Sequence, residues 1–405
     1  MLDLKGARFL IEGSLNRVER WVEKNNYRGY EPFDGLSSWF RPLTFGNLFA
    51  ERLLLQLVRQ CPVNLRPLMG ITRKESTKGR GYMAAGYLIR YRMTEQSEYL
   101  RKAESCLNWL DAHKAAKFVN HSWSNHFDFA SRGGSYTKND PIIVWTSLIG
   151  FAYLDAYEVT GGSRWLDIAD SACRWIMDLP REKTDRGACL SYLAHGQSSI
   201  HNANLLGAAM LARTAKHTGS SEFAEVARSA MEYSCTRQLP DGSWWYAEDP
   251  RYHWIDNFHT GYNLDSLRSY IESTGDETWE PNLRRGLEFY KAHFFENNGC
   301  PKYYHDRCYP VDSQCAAQSI ETLSAFSGQS NCLELAIRVA RWTIENMQGK
   351  DGHFFYRIYP LIKARMPMLH WAQATIYKGL ALLSERIART TASGEMRTEC
   401  GAEVL

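Results

Sequence analysis

No run of about 18 consecutive apolar residues occurs, the minimum for a helix that crosses a bilayer, and the mean hydropathy is -0.43. The opening residues, MLDLKGARFLIEG, lack a basic start followed by a long apolar core, so no secretory signal is read. Charge of one sign is also missing. The 48 Lys and Arg against 45 Asp and Glu leave +3, which excludes a basic footprint for duplex nucleic acid. None of the 10 cysteines forms a C-x-x-C pair, and without an export signal a disulfide framework is not expected. The expectation from these absences is a cytoplasmic chain with reduced thiols. P-loop, dinucleotide and G-x-S-x-G motifs are missing. His305, Asp306 and Cys308 come nearest to a metal set, but their spacing matches no strong zinc pattern. No metal and no cofactor is expected.

What is present is ordinary globular composition, 44% apolar and 23% charged, with many aromatics: 13 Trp, 22 Tyr and 17 Phe. At ~150 residues per domain, 405 residues suggest two or three domains. An internal repeat argues for one instead. Segments 154–175, 211–233, 267–290 and 323–342 each end a helix, turn, and open a second amphipathic helix, with a weaker copy at 88–109. The turns fall at Thr160-Gly161, Thr218-Gly219, Thr274-Gly275 and Ser327-Gly328, spaced by 58, 56 and 53 residues; the weaker turn at Thr94 lies 66 before Thr160. Glycine just past the last apolar-periodic residue suits a left-handed helix cap. Longer loops recur as well: QLPDGSWWY at 238–246, NNGCPKYYH at 297–305 and QGKDGHFFY at 348–356. A helical hairpin plus one such loop fills the period. Counting a helix near 43–59 and a last helix at 371–387 gives about six hairpins. The expected fold is all-α, an (α/α)6 toroid in a single domain over residues 1–388, with an open solenoid as the alternative. After Arg389 the chain turns polar, and 389–405 reads as a frayed, flexible tail.

The helix before each Thr-Gly turn begins among polar residues. His201, Asn202 and Asn204 precede Leu205. Asp256, Asn257, His259 and Asn263 precede Leu264. Asp312, Gln314 and Gln318 precede Ile320. Lys363, Arg365, His370 and Gln373 precede Ile376. Trp145 and Thr146 precede Leu148, and Lys78 with Arg80 open the earliest copy. If these helices run the same way round a ring, all their starts meet at one mouth. Helix starts carry unpaired N–H groups and partial positive charge, which favour an anionic or polyhydroxylated guest. Trp123, Trp145, Trp244, Trp245, Trp254 and Trp371 offer rings that stack on sugar faces. An Asp before a helix is commonly only a cap, and Trp residues in the loops also serve packing between hairpins. Asp256, Asn257 and His259 exceed what a single cap requires.

Seven runs stand out: GYEPFDGLSS at 29–38, PVNLRPLMGI at 62–71, HNANLLGAAML at 201–211, DGSWWY at 241–246, WIDNFHTGYNLDSL at 254–267, PKYYHDRCYPVDSQCAAQSI at 301–320 and MPMLHWAQA at 366–374. Together they resemble one bacterial and archaeal family found with surface-polysaccharide biosynthesis genes and akin to the six-hairpin glycosidase superfamily. The resemblance spans Tyr27 to about Glu385 and implies an (α/α)6 barrel. Some members carry a delta-aminolevulinic acid dehydratase label. A lysine Schiff-base site on a TIM barrel has no place in an all-helical repeat chain. The wider superfamily includes unsaturated glucuronyl hydrolases and sugar epimerases.

The expected function is acid/base chemistry on a glycan or acidic sugar: hydrolysis, elimination or epimerisation. Asp256, His259 and His201 are the candidate catalytic residues. A carboxylate pair of Asp256 with Asp128 or Asp312 would instead suit hydrolysis. Candidate substrate-binding residues are Asn202, Asn257, Trp254, Trp145, Gln314, Lys363, Arg365, His370, Trp371 and Gln373. Lys78, Arg80, Lys363 and Arg365 point to an acidic sugar. The expected partner is a carbohydrate, with no nucleic acid and no membrane insertion. One alternative is a non-catalytic glycan-binding or assembly protein. Another is a terpenoid enzyme, since QLPDGSW resembles the Q-x-x-D-G-x-W repeat of triterpene cyclases; the acid motifs of those enzymes are missing.

Overall fold

Four of the five repeats close their first helix by the same local chemistry. The Thr hydroxyl donates to the carbonyl four residues back: Thr94 to Arg90 at 2.9 Å, Thr160 to Ala156 at 2.7 Å, Thr218 to Thr214 at 3.0 Å and Thr274 to Tyr270 at 2.8 Å. It then accepts the N–H two residues on. Gly161, Gly219 and Gly275 take the left-handed cap, with φ of 71°, 74° and 72°. Glu95 does the same in the earliest copy, at φ 56°. The fourth pair differs. That helix stops at Ala325, Gly328 is not left-handed, and Asn331 takes φ 64° before the next helix.

The structure, a computed structural model, describes residues 3–131 and 134–402, with side chains through residue 392. Thirteen α-helices occur among the described residues: α1 Leu4–Lys24, α2 Leu48–Gln60, α3 Thr77–Thr94, α4 Ser97–Ala112, α5 Ile143–Thr160, α6 Ser163–Met177, α7 His201–Thr218, α8 Ser221–Cys235, α9 Asn257–Thr274, α10 Glu280–His293, α11 Ser313–Ala325, α12 Cys332–Met347 and α13 Thr375–Ala402. Helices α3, α5, α7, α9, α11 and α13 pack in that order, and α13 packs back on α3. This is a closed inner ring. Helices α4, α6, α8, α10 and α12 pack outside it, and α1 completes the outer layer against α13 and α12. The fold is an (α/α)6 barrel in a single domain.

The helix expected near 43–59 is not an inner one. It is α2, and it lies over the barrel end, where Gly35 packs on Leu55 and Val58. The last helix is preceded by a π-helical turn, Leu369–Ala374, and continues to Ala402, beyond Arg389. Residues 403–405 lie outside the described residues.

The long loops lock each hairpin to the next. Gly187, Gly242, Gly299 and Gly352 all have positive φ, and a Cβ there would strike the backbone of the following outer helix: Ser229, Arg285, Arg338 and Arg17. The last of these contacts joins the end of the ring to its beginning. Gln348 accepts from Ser14 at 2.9 Å and Arg17 at 2.5 Å, and donates to Gly352 O at 3.0 Å. Gln238 makes the equivalent bonds to Gly242 and Arg285. The Q-x-x-D-G-x-W likeness therefore reflects a clasp between hairpins. Trp123 and Trp244 belong to the same packing: both are buried, and their indoles donate to Leu110 O and Ser234 O at 2.9 Å.

Short pairings run round one barrel end and link successive inner-helix starts: Gly29 with Lys74, Tyr30 with Met368, Ile142 with Leu193, Ile200 with Ala247 and Asp256 with Tyr304. Strands β1 (Phe129–Ser131), β2 (Gly134–Tyr136), β3 (Arg181–Thr184) and β4 (Gly187–Leu190) form two antiparallel hairpins in the loops. Strands β5 (Val311–Asp312), β6 (Arg357–Ile358) and β7 (Lys363–Ala364) form an antiparallel sheet. All six polar starts thus meet at one mouth. No helix among the described residues is long and apolar enough to cross a membrane.

Candidate active site

The mouth is roofed on one side by the segment between α1 and α3. There Phe33 meets Trp371 edge-on at 5.7 Å and carries the Arg59 guanidinium at 4.6 Å. The bore below is closed where Tyr82 and Tyr262, on opposite inner helices, bring their hydroxyls to 3.0 Å. Gln314 donates to Tyr262 at 3.0 Å.

On the α7–α9 side a narrow recess remains, lined by Asn202, Trp244, Trp245, Tyr246, Trp254, Asp256, His259, Thr260 and Asn263. Asp256 has an extended backbone (φ -125°, ψ 162°) and caps α9. One carboxylate oxygen accepts the His259 backbone N–H at 3.0 Å. The other accepts His259 Nδ1 at 2.7 Å and the Trp254 indole at 3.0 Å. The bond at Nδ1 fixes the tautomer, so Nε2 is the nitrogen remaining to exchange a proton. Tyr246 stacks on Trp254 at 4.7 Å and tilts against His259 at 4.6 Å. The side-chain oxygens of Asn202 and Asn263 are buried in this wall and have no hydrogen-bond partner among the described residues. Hydroxyl donors from a guest would satisfy both.

A second polar cluster lies under the roof. Glu31 meets His370 Nδ1 and accepts the His370 backbone N–H at 3.3 Å; both side chains are buried, and burial pushes the imidazole below its ordinary value. Lys78, in the first turn of α3, is buried and stands 5.5 Å from the Trp145 ring. Burial pushes Lys78 down to about 7, against the opposing pull of Glu31. His126 is pushed down to about 4 by the same cause. The two clusters are separated by an aromatic wall in which Phe258 meets Trp371 at 5.4 Å.

The structure brings Asp256, His259, Asn202 and Trp254 together. Trp145, Gln314, His370 and Trp371 sit further along the same mouth. His201 points elsewhere: its Nδ1 meets Ser234 at 3.1 Å and its Nε2 meets Glu248 at 2.7 Å. Asn257 turns its Oδ1 to the hydroxyls of Tyr290 and Ser319 between helices, while its buried Nδ2 has no hydrogen-bond partner among the described residues. Gln373 bridges the Phe354 backbone at 2.7 and 2.8 Å. Lys363 is exposed and donates to Asn346 O, Arg365 lies over Phe355, and Arg80 pairs with Glu75 and covers Tyr27. Of the four basic residues expected at the mouth, only Lys78 is there.

The three candidate carboxylates are all occupied. Asp312 holds Arg357 at 2.5 Å, Trp371 Nε1 at 2.7 Å and Gln314 N at 2.9 Å. Asp128 holds Arg41 at 2.5 Å and Lys138 N at 2.8 Å. Sequence reasoning missed Glu31, His126 and Tyr246 as site residues. Glu31 and His126 stand in irregular segments without periodicity, and only the run GYEPFDGLSS marked Glu31. No group of three or more His, Cys, Asp or Glu among the described residues is placed to hold a metal ion.

No protein-family model and no curated protein matches the sequence. Solved structures do match. An unsaturated glucuronyl hydrolase specific for heparin aligns with a TM-score of 0.63 at 12% identity, over 95% of this chain and 98% of its own. A GH76 α-mannanase from Bacteroides thetaiotaomicron gives 0.61 at 11% identity, over 78% and 88%. Cellobiose 2-epimerase from Bacillus thermoamylovorans gives 0.60 at 10% identity, over 78% and 88%. At these identities the likeness concerns the fold, and the chain shares its six-hairpin (α/α)6 barrel with these sugar enzymes.

Proposed function

We propose that this protein is a carbohydrate-active enzyme of surface-polysaccharide metabolism, acting in the cytoplasm, and that its acid/base centre is His259 oriented by Asp256. The supporting observation is the 2.7 Å bond from His259 Nδ1 to a buried carboxylate, which aims Nε2 at a recess walled by Trp254, Tyr246 and two unsatisfied carboxamide oxygens. Aromatic faces and amide acceptors at one opening are the groups from which sugar sites are built, and the recess, about 10 Å³ in this structure, has to widen to admit a ring.

Two-carboxylate hydrolysis needs one carboxyl to donate a proton and another to meet water or the sugar, about 5–10 Å away. Asp128, Asp256 and Asp312 each already accept at least two hydrogen bonds. The reading supported best is therefore proton transfer at a sugar carbon, as in epimerisation or elimination. Lys78 alone carries the preference for an acidic sugar.

The test is a mass-spectrometric screen of neutral and acidic oligosaccharides in D2O and, separately, in 18O-labelled water. Deuterium uptake at carbon without 18O uptake, or an unsaturated product, is the expected result. Uptake of 18O would instead assign hydrolysis. Binding without any product would favour a non-catalytic glycan-binding protein.

A further inference from the structure

The roof of the barrel is unusually apolar on its outer side. Ten of the fifteen large hydrophobic side chains exposed among the described residues lie in the thirty residues 39–68. Trp39, Phe45, Phe49 and Leu68 are 75%, 91%, 72% and 77% exposed. Scattered exposed apolar residues are ordinary; a contiguous cluster marks a contact surface. Helix α2 shows the design. Leu55 and Val58 face the protein and are buried, while Phe49, Leu53 and Leu57 repeat every four residues on the outer side. A helix apolar on both sides is one that is covered on both sides.

Charge identifies the cover. Segment 39–68 contains four arginines and a single acid, Glu51. Glu51 is buried and bound to Arg41 at 3.2 Å. Arg41 is shared between Glu51 and Asp128, and Arg66 is buried on Asp34, so Arg52 is the arginine that flanks the apolar residues with no carboxylate paired to it among the described residues. The hairpin tip at 361–362 joins the same side, because Tyr359 donates to Gln60 O at 3.1 Å, and it adds the exposed Leu361, Ile362 and Lys363. In a self-complementary dimer these cations would meet only their own kind. Anionic lipid headgroups supply the missing counter-charge. Aromatic side chains with flanking basic side chains suit the bilayer interface. At 13 residues α2 is too short to cross a membrane, which takes ~20 residues, and would lie in the plane.

We propose that the roof, residues 39–68 with the hairpin tip at 361–362, docks this protein on an anionic bilayer surface. The inference stands apart from the acid/base reading and needs no substrate to test. Full-length protein is sedimented with vesicles of phosphatidylcholine alone and with vesicles that also contain phosphatidylglycerol. Binding to the second, weak binding to the first, and several-fold loss in high salt are expected. Phe49→Glu with Leu53→Glu, both at exposed positions, lowers the partition coefficient at least ~10-fold with the circular dichroism spectrum unchanged. Arg52→Glu lowers only the preference for phosphatidylglycerol. If the double variant fails to fold, Phe45→Ser reads the same face. The proposal is overturned if neither vesicle binds, if the variants bind as well as the parent, or if ultracentrifugation shows a dimer that Phe49→Glu dissociates. That last result would assign the face to a second copy.

Discussion

Asp256 grips His259 twice, at the backbone N–H and at Nδ1 of the ring, so one carboxylate both starts α9 and orients the imidazole. The two roles separate in Asp256→Asn. Asparagine caps a helix as well as aspartate, but it cannot stabilise an imidazolium. Turnover is expected to fall by ~10²–10⁴, while the melting temperature moves little. A rate within twofold of the parent would remove the pair from the mechanism.

His201 and Asn202 are adjacent in sequence and opposite in role. His201 is buried and joined to Ser234 and Glu248, tying α7 to α8 and to the loop before α9. Asn202 faces the recess. His201→Ala should cost ~1–3 kcal/mol in urea unfolding, because it strips partners from buried groups. Asn202→Ala should leave stability nearly unchanged and raise KM. Loss of turnover in a fully stable His201→Ala variant would reverse the assignment.

Lys78 makes stability depend on pH. Its folded value, about 7, lies below the ordinary lysine value of 10.5, so between these the unfolded chain binds more protons. The contribution of this group therefore rises with pH through that window and is smallest below pH 7. Lys78→Met should flatten the dependence measured by urea unfolding from about pH 6.5 to 9.5. An unchanged slope would show that Lys78 is not the group responsible.

Local chemistry explains what could be read in advance. A Thr hydroxyl that closes a turn and a glycine that accepts positive φ act within a few residues, so the hairpin turns at Thr160, Thr218 and Thr274 stand out in the sequence. So does the cap at Asp256. The device that closes the ring, Gln348 against Ser14 and Arg17, joins residues more than 300 apart and has no local signature. Side-chain direction was equally hidden. His201 and Asn202 share a helix turn, and only the neighbouring α8 and the Glu248 loop decide which of them faces the recess. Glu31 reaches His370 from a segment that periodicity does not describe.

The ring closure can be tested by comparing two glycines with positive φ. A Cβ at Gly161 (φ 71°) would meet nothing within 4 Å, so Gly161→Ala carries only the backbone penalty, about 1 kcal/mol. A Cβ at Gly352 (φ 100°) would stand 2.5 Å from Arg17 O and 2.9 Å from its carbonyl carbon. Backbone cannot rotate away as a side chain can, so α1 must shift, and the Gln348 bonds to Ser14 and Arg17 loosen with it. Gly352→Ala should therefore cost ~3 kcal/mol or more, several times the cost at Gly161. Hydrogen exchange should rise in α1 and α12 before it rises in α7. Equal losses at the two positions, or exchange spread evenly over the ring, would mean that the contact of Gly352 with α1 does not hold the barrel shut.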